Sequence, residues 1–370
     1  MPRAYESNLT GKLRRIRGSV TQKRFGVSVI GGSGYGAGEL LRFLSNHPDI
    51  EVVEVISRSH AGKPVSSVHS NLASVLSLNF QGRPSLTWCR DYQRGAFVCS
   101  MPSGQAAATI SQLQEVGLPD NADIVDLSGD FRLGEKSTHE AFYPEAPFAA
   151  DLRQGFLYGL PELNRTALAG ARWVTNPGCL ATAAILALAP FRGEQLIGPV
   201  VIDAKTGTSG AGRDPQPSMH HPSRAADFTA YKPLHHRHEP EILQALGADF
   251  STRNSIMFIP HLLPIPRGIF VTVYMTCGST MLAEEGHRLC ATFYEKDPFI
   301  RVRSTPPRLV DVIGTNFCDI HVTSRGSSLV VMAALDNLGK GMAGQCVQNL
   351  HLMWGLSSTR HLMTPALGPV

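Results

Sequence analysis

Residues 25–40 read FGVSVIGGSGYGAGEL and decide the fold. The first six residues alternate and include β-branched side chains, which predicts a strand, and glycine-rich residues 31–38 follow it directly. Residues 39–44 have apolar positions at helical spacing, and residues 50–56 (IEVVEVI) predict a second strand. A strand, a glycine turn, a helix and a strand make one βαβ unit, which favours a parallel sheet.

The alternation of strands and helices continues to about residue 127. We predict a strand at 95–99, a helix at 104–115 and a strand at 123–127, as in a doubly wound sheet. After Gly178 the pattern changes to a helix at 180–189 and strand-like runs at 200–204, 255–260, 270–276 and 329–334, joined by loops rich in Pro, Gly and His. The predicted fold is therefore α/β, a Rossmann domain followed by an α+β domain. The predicted boundaries are a basic, disordered tail at 1–24, a nucleotide-binding domain at 25–178, a catalytic domain at 179–334 and a C-terminal helical segment at 335–370.

Composition excludes several classes of protein. The chain has 370 residues and a net charge of +4, which is too small a surplus to indicate a nucleic-acid-binding protein. The nearly apolar run at 178–191 is too short for a membrane span. Seven cysteines without a CxxC pair argue against a disulfide framework and favour a reducing, cytoplasmic location. Residues 1–24 carry seven basic side chains and one acid, so a targeting peptide or a docking arm is the alternative to a disordered tail.

The glycine turn has the pattern expected for binding a dinucleotide. Gly31 permits a tight turn, Gly34 permits close approach of a pyrophosphate, and Ala37 permits the helix to pack on its strand. Ser33 and Tyr35 lie in the same turn, and the helix N-terminus supplies free N–H groups.

The end of the second strand indicates which dinucleotide binds. Sites for NAD usually have an acid there, whereas this strand ends at Ser57, Arg58 and Ser59. An arginine among hydroxyl groups suits a 2′-phosphate, so we predict NADP. The alternative is a surface arginine without a ligand.

Cys179 lies in the sequence TNPGC (175–179), directly before an apolar helical run. A helix N-terminus lowers the pKa of a thiol, so Cys179 is a candidate nucleophile; the alternative is a small buried residue. His236 and His238 are candidate partners for proton transfer. The same two histidines could ligate zinc, but no thiolate lies near in sequence and a dinucleotide already provides redox chemistry, so no metal is predicted. Arg267, in a proline-rich loop, is a candidate anion ligand.

The chain resembles the N-acetyl-γ-glutamyl-phosphate reductases of arginine biosynthesis from about Phe25 to Leu356. The resemblance depends on motifs that occur in the same order: GGSGYGAGEL (31–40), SR (57–58), DLSGDFR (126–132), YGLPE (158–162), NPGC (176–179), TSGAG (208–212), HRH with Glu241 (236–241), PHLLPIPRG (260–268), GTNFCD (314–319) and DNLGK (336–340).

This resemblance implies a catalytic and dimerisation domain of the glyceraldehyde-3-phosphate dehydrogenase type, and a C-terminal helix that returns to the Rossmann domain. It implies a homo-oligomer, a tetramer or a dimer, that reduces an acyl phosphate to an aldehyde with NADPH through a thioester on Cys179. His236 is the implied acid/base, with His238 and Glu241 as orienting neighbours. Asn316 is expected beside the nicotinamide, and the implied substrate ligands are Arg132, Ser209, Gly210 and Arg267.

The sequence departs from the family at Leu180-Ala181, where Tyr-Pro is usual, at Ser103, where His is usual, and at Glu239, where Thr is usual. A related reductase of lysine biosynthesis, which acts on aminoadipyl 6-phosphate attached to an acidic carrier protein, therefore stays an alternative. The segment from residues 219–224 through 231–233 is similar to that enzyme, whereas Asn176-Pro177 is closer to the arginine enzymes. A regulator that binds NADP without turnover is the third alternative.

Overall fold

The computed structural model describes residues 24–368 and contains two seven-stranded sheets. In the first sheet all strands are parallel, in the order β3-β2-β1-β4-β5-β7-β6. Its strands are β1 (Phe25–Ile30), β2 (Ile50–Ile56), β3 (Phe80–Gln81), β4 (Arg94–Cys99), β5 (Ala122–Asp126), β6 (Phe156–Tyr158) and β7 (Trp173–Thr175). The order reverses between β1 and β4, and this switch point is where doubly wound sheets bind ligands.

The second sheet is mixed, in the order β12-β13-β14-β11-β8-β10-β9. Its strands are β8 (Val200–Thr206), β9 (Thr229–Ala230), β10 (Ile256–Leu262), β11 (Ile269–Thr276), β12 (Ile300–Val302), β13 (Cys318–Arg325) and β14 (Ser328–Leu335). The two sheets confirm the predicted fold class.

The helices cover both sheets and connect them. They are α1 (Tyr35–Leu44), α2 (Ala106–Glu115), α3 (Lys136–Phe142), α4 (Ala150–Arg153), α5 (Pro161–Leu168), α6 (Cys179–Leu188), α7 (His221–Arg224), α8 (His238–Leu246), α9 (Ala248–Arg253), α10 (Ala283–Phe293) and α11 (Gly344–Met353). Among the described residues, no helix has the length and apolar character to cross a membrane.

Helix α6 begins at Cys179, between the first sheet and the second. Every residue of α6 after Cys179 is buried, so the helix is apolar all round and fills the core over the second sheet. Its first residue lies where the first sheet ends, because β7 stops only four residues earlier. Cys179 is therefore fixed at the junction of the two sheets.

The C-terminal helix packs on the first sheet. Trp354, which follows α11, stacks on Phe25 with ring centroids 4.6 Å apart, and its indole N–H donates to Asp123 at 2.7 Å. Arg94 donates to the carbonyl of Met353 at 2.7 Å. The chain thus returns to the first sheet after completing the second. Of the predicted tail 1–24, residues 1–23 lie outside the described residues.

Candidate active site

The turn before Cys179 is held by two buried side chains. Glu241 accepts hydrogen bonds from the backbone N–H of Gly178 (2.7 Å) and from the hydroxyl of Tyr158 (2.8 Å). Arg132 donates to the carbonyl of Asn176 at 2.9 Å, and its guanidinium lies 3.8 Å from the second oxygen of Glu241. A buried pair of opposite charges therefore anchors the nucleophile turn on both sides. Tyr158 was not among the predicted site residues, although it begins the YGLPE motif.

His238 is the histidine next to this turn. A Cβ atom placed on Gly178 would lie 2.2 Å from Nε2 of His238, so the ring packs directly on the residue before Cys179. His236 lies one step further away, where it contacts His238 with ring centroids 4.6 Å apart and accepts a hydrogen bond from the backbone N–H of His238 at 3.2 Å. Both histidines are buried. The geometry thus favours His238 over His236, the predicted acid/base, as the neighbour of the nucleophile.

The electrostatics of Cys179 differ from the expectation for a helix N-terminus. Burial raises the pKa of the Cys179 thiol; Arg132, the N–H of Leu180 and Arg237 lower it, but not enough to reverse the shift. The expectation of a lowered pKa is wrong here, because desolvation of the thiolate outweighs these favourable charges and dipoles.

Burial also keeps both histidines neutral. It lowers the pKa of His236 to about 3 and that of His238 well below its ordinary value. The site therefore rests as a neutral thiol beside a neutral imidazole. Within residues 24–368, Nδ1 of His238 has no hydrogen-bond partner.

Tyr231 completes this group of side chains, which we call the nucleophile pocket: Cys179, His238, Glu241, Arg132 and Tyr231. The ring of Tyr231 lies edge-on to His236 at 5.4 Å. Burial raises the pKa of Tyr231, and a thiolate at Cys179 would raise it further. Tyr231 was not predicted to lie in this group, because no periodicity relates it to Cys179, which lies 52 positions earlier.

The glycine turn is shaped as the sequence predicts. Gly31 has φ +80°, and a Cβ there would lie 2.3 Å from the carbonyl oxygen of Ser100, at the switch point between β1 and β4. A Cβ on Gly34, at the start of α1, would meet only the carbonyl of Gly31 within 4 Å, at 3.8 Å, so space for a ligand lies over this backbone. Ala37 is fully buried under the helix.

The predicted 2′-phosphate ligands lie together at the end of β2. The Ser57 hydroxyl lies 3.4 Å from the hydroxyls of Ser33 and Ser59 and 3.2 Å from Nδ1 of His60. Arg58 is exposed, and its guanidinium makes no hydrogen bond or ion pair to residues 24–368. We call the turn 31–37 together with residues 57–60 the cofactor cradle. His60 was not predicted.

Tyr35 forms the rim of the cofactor cradle. It is 40% exposed, and the guanidinium of Arg213 lies 4.6 Å from its ring centroid. Arg213 also donates to the carbonyl of Val68 at 3.3 Å. A loop of the second domain thus reaches the glycine turn of the first.

Two predicted ligands have side-chain partners inside the protein. Arg267 forms ion pairs at 2.7 Å with both Glu39 and Asp336 and so joins α1 to the second sheet. With two carboxylates on one guanidinium, Arg267 is not placed as a free anion ligand. Ser209 accepts a hydrogen bond from Asn337 at 2.9 Å, and Gly210 follows it in the same turn.

Asn316 is fully buried and donates to Gln348 at 3.0 Å, while its carbonyl oxygen has no partner among residues 24–368. Ser103, where the sequence departs from the family, contacts the residue directly before α8, because Arg237 donates a hydrogen bond to the Ser103 hydroxyl at 3.4 Å. Leu180 and Ala181 are buried in the core. In the described part of the chain, no group of three or more His, Cys, Asp or Glu side chains is arranged to hold a metal ion.

Two family models match the chain. The semialdehyde dehydrogenase NAD-binding domain matches residues 26–171, and the semialdehyde dehydrogenase dimerisation domain matches residues 179–337. Among curated proteins, the N-acetyl-γ-glutamyl-phosphate reductase of Methanosarcina barkeri is 41% identical over 344 residues, which are 92% of this chain and 98% of that protein. The reductase of the same name from Methanopyrus kandleri is 39% identical over 93% of this chain and 99% of that protein.

Solved structures show the same fold at much lower identity. Aspartate semialdehyde dehydrogenase II of Vibrio cholerae superposes with a TM-score of 0.66 and 16% identity, over 90% of this chain and 99% of that one. Aspartate semialdehyde dehydrogenase of Candida albicans, solved with NADP, gives 0.62 and 14% identity over 89% of this chain and 98% of that one. These structural similarities establish the fold alone, and the reaction has to be inferred from the residues of the site.

Proposed function

This chain belongs to the N-acetyl-γ-glutamyl-phosphate reductase family, and we propose that it reduces N-acetyl-γ-glutamyl phosphate to N-acetylglutamate 5-semialdehyde with NADPH. The observation that carries the proposal is the contact of the His238 ring with Gly178, directly before Cys179 at the start of a buried helix. A nucleophile and a proton acceptor side by side, next to a dinucleotide turn, suit covalent acyl transfer followed by reduction.

In the proposed mechanism, Cys179 transfers its proton to Nε2 of His238 as its sulfur bonds to the acyl carbon. The bond from that carbon to the phosphate oxygen breaks, phosphate departs with one proton taken up from solvent, and a thioester remains on Cys179. NADPH held in the cofactor cradle would supply the hydride for reduction of this thioester to the aldehyde. Cys179 then leaves as a thiolate, and the His238 imidazolium returns the proton to sulfur. The backbone N–H of Cys179 is a candidate donor to the oxyanion.

The pKa shifts keep the resting site uncharged and oppose this proton transfer until the substrate is bound. A thiol with a raised pKa and an imidazole with a lowered pKa both rest neutral, so the buried site carries no thiolate until the acyl phosphate is in place. Arg132 lies close enough to lower the thiol pKa and favours the thiolate when it forms. Glu241 holds the turn by its hydrogen bond to Gly178 and supports no proton transfer of its own in this arrangement.

NADP is the cofactor that the cradle fits. The Ser33, Ser57 and Ser59 hydroxyls and the unpaired Arg58 guanidinium provide donors at the end of β2, and no carboxylate among residues 57–60 would repel a 2′-phosphate. We retain Asn316 as a proposed nicotinamide neighbour because its buried carbonyl oxygen has no partner among residues 24–368.

The reaction is tested in the reverse direction. Purified protein with N-acetylglutamate 5-semialdehyde, inorganic phosphate and NADP should produce NADPH, and omission of phosphate should abolish it. A protein that binds NADP without turnover would instead be a regulator.

Carrier-linked aminoadipyl 6-phosphate is the second candidate substrate, and the loop between β8 and α8 favours it. Phe228 and Leu234 in this loop are each 54% exposed, and the exposed Lys232 and Arg237 lie among the same residues, near the nucleophile pocket. Apolar and basic side chains around a site suit an acidic carrier. Turnover of the carrier conjugate, with none of the free acetylated substrate, would replace the first proposal.

We also propose that the chain forms a homo-oligomer, a dimer or a tetramer, through the outer face of the second sheet. Apolar side chains on this face are only partly covered, with Tyr274 44% and Met257 36% exposed. Tyr274→Asp should reduce the mass measured by light scattering to that of a smaller species. A cytoplasmic location is part of this proposal, since all seven cysteines are free.

A further inference from the structure

A single π-helical turn, Gly339–Ala343, lies between β14 and α11. The N–H groups of Gly341 and Ala343 donate five residues back, to Asp336 and Leu338, at 2.8 Å each. Such turns are rare and recur at functional sites. The mechanism proposed above gives this turn no role, although it lies directly behind the nucleophile.

Two consecutive residues of the turn contact the two halves of the reaction site. A Cβ on Gly341 would lie 2.8 Å from Cβ of Cys179. The sulfur of Met342 lies against the glycine turn, 2.3 Å from where a Cβ on Gly36 would be, and the Met342 carbonyl accepts a hydrogen bond from Asn176 at 3.1 Å. The turn therefore acts as a spacer between the nucleophile and the cofactor helix.

The spacer is anchored by a fully buried ion pair. Nζ of Lys340 lies 2.7 Å from Glu162, in α5, and both side chains have no exposed surface. Lys340 also donates to Gln348 at 2.9 Å. Burying two charges gains little net stability compared with an apolar pair, so the value of such a pair can lie in the single geometry that it enforces.

We propose that Lys340 and Glu162 are positioning residues for the reaction, which hold the π turn so that Cys179 stands at the correct distance from the cofactor helix. This inference rests on the proposed function. Neither side chain touches the thiol, and both act through Gly341 and Met342.

The test compares Lys340→Met, the double variant Lys340→Met/Glu162→Leu, and Gly341→Ala. Lys340→Met leaves a buried carboxylate unpaired and should be less stable, whereas the double variant replaces the pair by apolar groups and should regain stability. In the double variant, kcat should stay about 10- to 100-fold below wild type with KM changed little, as expected for a misplaced reacting group. Gly341→Ala keeps the pair, adds a methyl group against Cys179, and should show the same loss.

The control is Arg94→Met, which breaks an ion pair with Asp123 at the amino ends of β4 and β5, the ends opposite the cofactor cradle. It should lower the melting temperature and leave kcat intact. The iodoacetamide alkylation rate of Cys179 should change in the three test variants and not in the control. Wild-type kcat and alkylation in either the double variant or Gly341→Ala would overturn the inference. If the wild-type protein lacks the reductase activity but the test variants still alter the alkylation rate of Cys179, the proposed function is refuted and the positioning role of Lys340 and Glu162 is not.

Discussion

The cofactor cradle and the nucleophile pocket lie at the same edge of the first sheet, yet they differ in their exposure to solvent. In the cradle, Arg58 and Tyr35 are exposed and the backbone of Gly34 is open. In the pocket, His238, Glu241 and Arg132 are almost completely buried. We therefore expect the cradle to bind the charged cofactor and the pocket to carry out proton transfer.

This difference in exposure determines what each charged or titratable side chain can contribute. An exposed guanidinium keeps its hydration until a ligand arrives, so it contributes affinity without destabilising the fold. Burial raises the free energy of the charged form of an imidazole or a thiol, so its pKa shifts toward the neutral form. Such a group changes its protonation state only when a bound substrate alters its surroundings. Substitutions in the cradle should therefore change binding, and substitutions in the pocket should change turnover.

The sharpest test of this division is Cys179→Ser. Turnover should fall roughly 10⁴-fold or more, as for other covalent nucleophiles. The NADPH dissociation constant, measured by fluorescence titration, should stay unchanged because no cradle residue is altered. Cys277→Ser, at a buried thiol beyond the end of β11, is the matched control and should retain turnover. Full activity in Cys179→Ser would remove the covalent route.

The next largest effect should distinguish the two histidines. His238→Asn should lower kcat about 10²–10⁴-fold, the usual contribution of a general acid–base group. His236→Asn should cost less, because His236 reaches the site only through its contacts with His238. Steady-state kinetics of both variants at pH 7 provide the comparison. A larger loss in His236→Asn would return the acid–base role to that residue.

The sequence was sufficient for the parallel sheet and for the glycine turn, whereas His60 of the cofactor cradle was not predicted. Strands β1 and β2 occur at exactly the predicted residues, since local alternation and the glycine turn determine them. Strand β13 was not predicted, because its polar residues Asp319, His321 and Thr323 interrupt the apolar pattern, and pairing with β14 stabilises it instead. Its register depends on contacts that are distant in the chain.

The pocket was predictable in composition but not in geometry. Cys179, His238 and Glu241 were identified, yet their order in space depends on how α6 and α8 pack. The same packing decides two other outcomes: burial reverses the pKa shift of Cys179, and two acids distant in sequence take Arg267. Local pattern carries no information on such partners.

A smaller effect is expected in the cradle from Arg58→Ala. A hydrogen bond to a charged group is worth about 1.5–3 kcal/mol, so NADPH binding should weaken about 10- to 100-fold. NADH binding should change little, because NADH has no 2′-phosphate. Turnover at saturating NADPH should stay close to wild type. Arg83→Ala, at an exposed arginine two residues after β3, is the control. Equal weakening of both cofactors would show that Arg58 does not read the 2′-phosphate.

The smallest effect concerns the resting state of the pocket. Because burial raises the pKa of the Cys179 thiol, the reactive thiolate forms only at a pH above the ordinary thiol range. Alkylation of Cys179 by iodoacetamide, followed by mass spectrometry of its peptide, should be slow at pH 7 and still rising above pH 9. The neutral His238, whose pKa is lowered, cannot stabilise a thiolate at pH 7 by carrying a positive charge. A plateau of the rate below pH 8 would instead reveal a preformed thiolate–imidazolium pair. The pocket would then hold charged groups before the substrate binds, as the cradle does with Arg58.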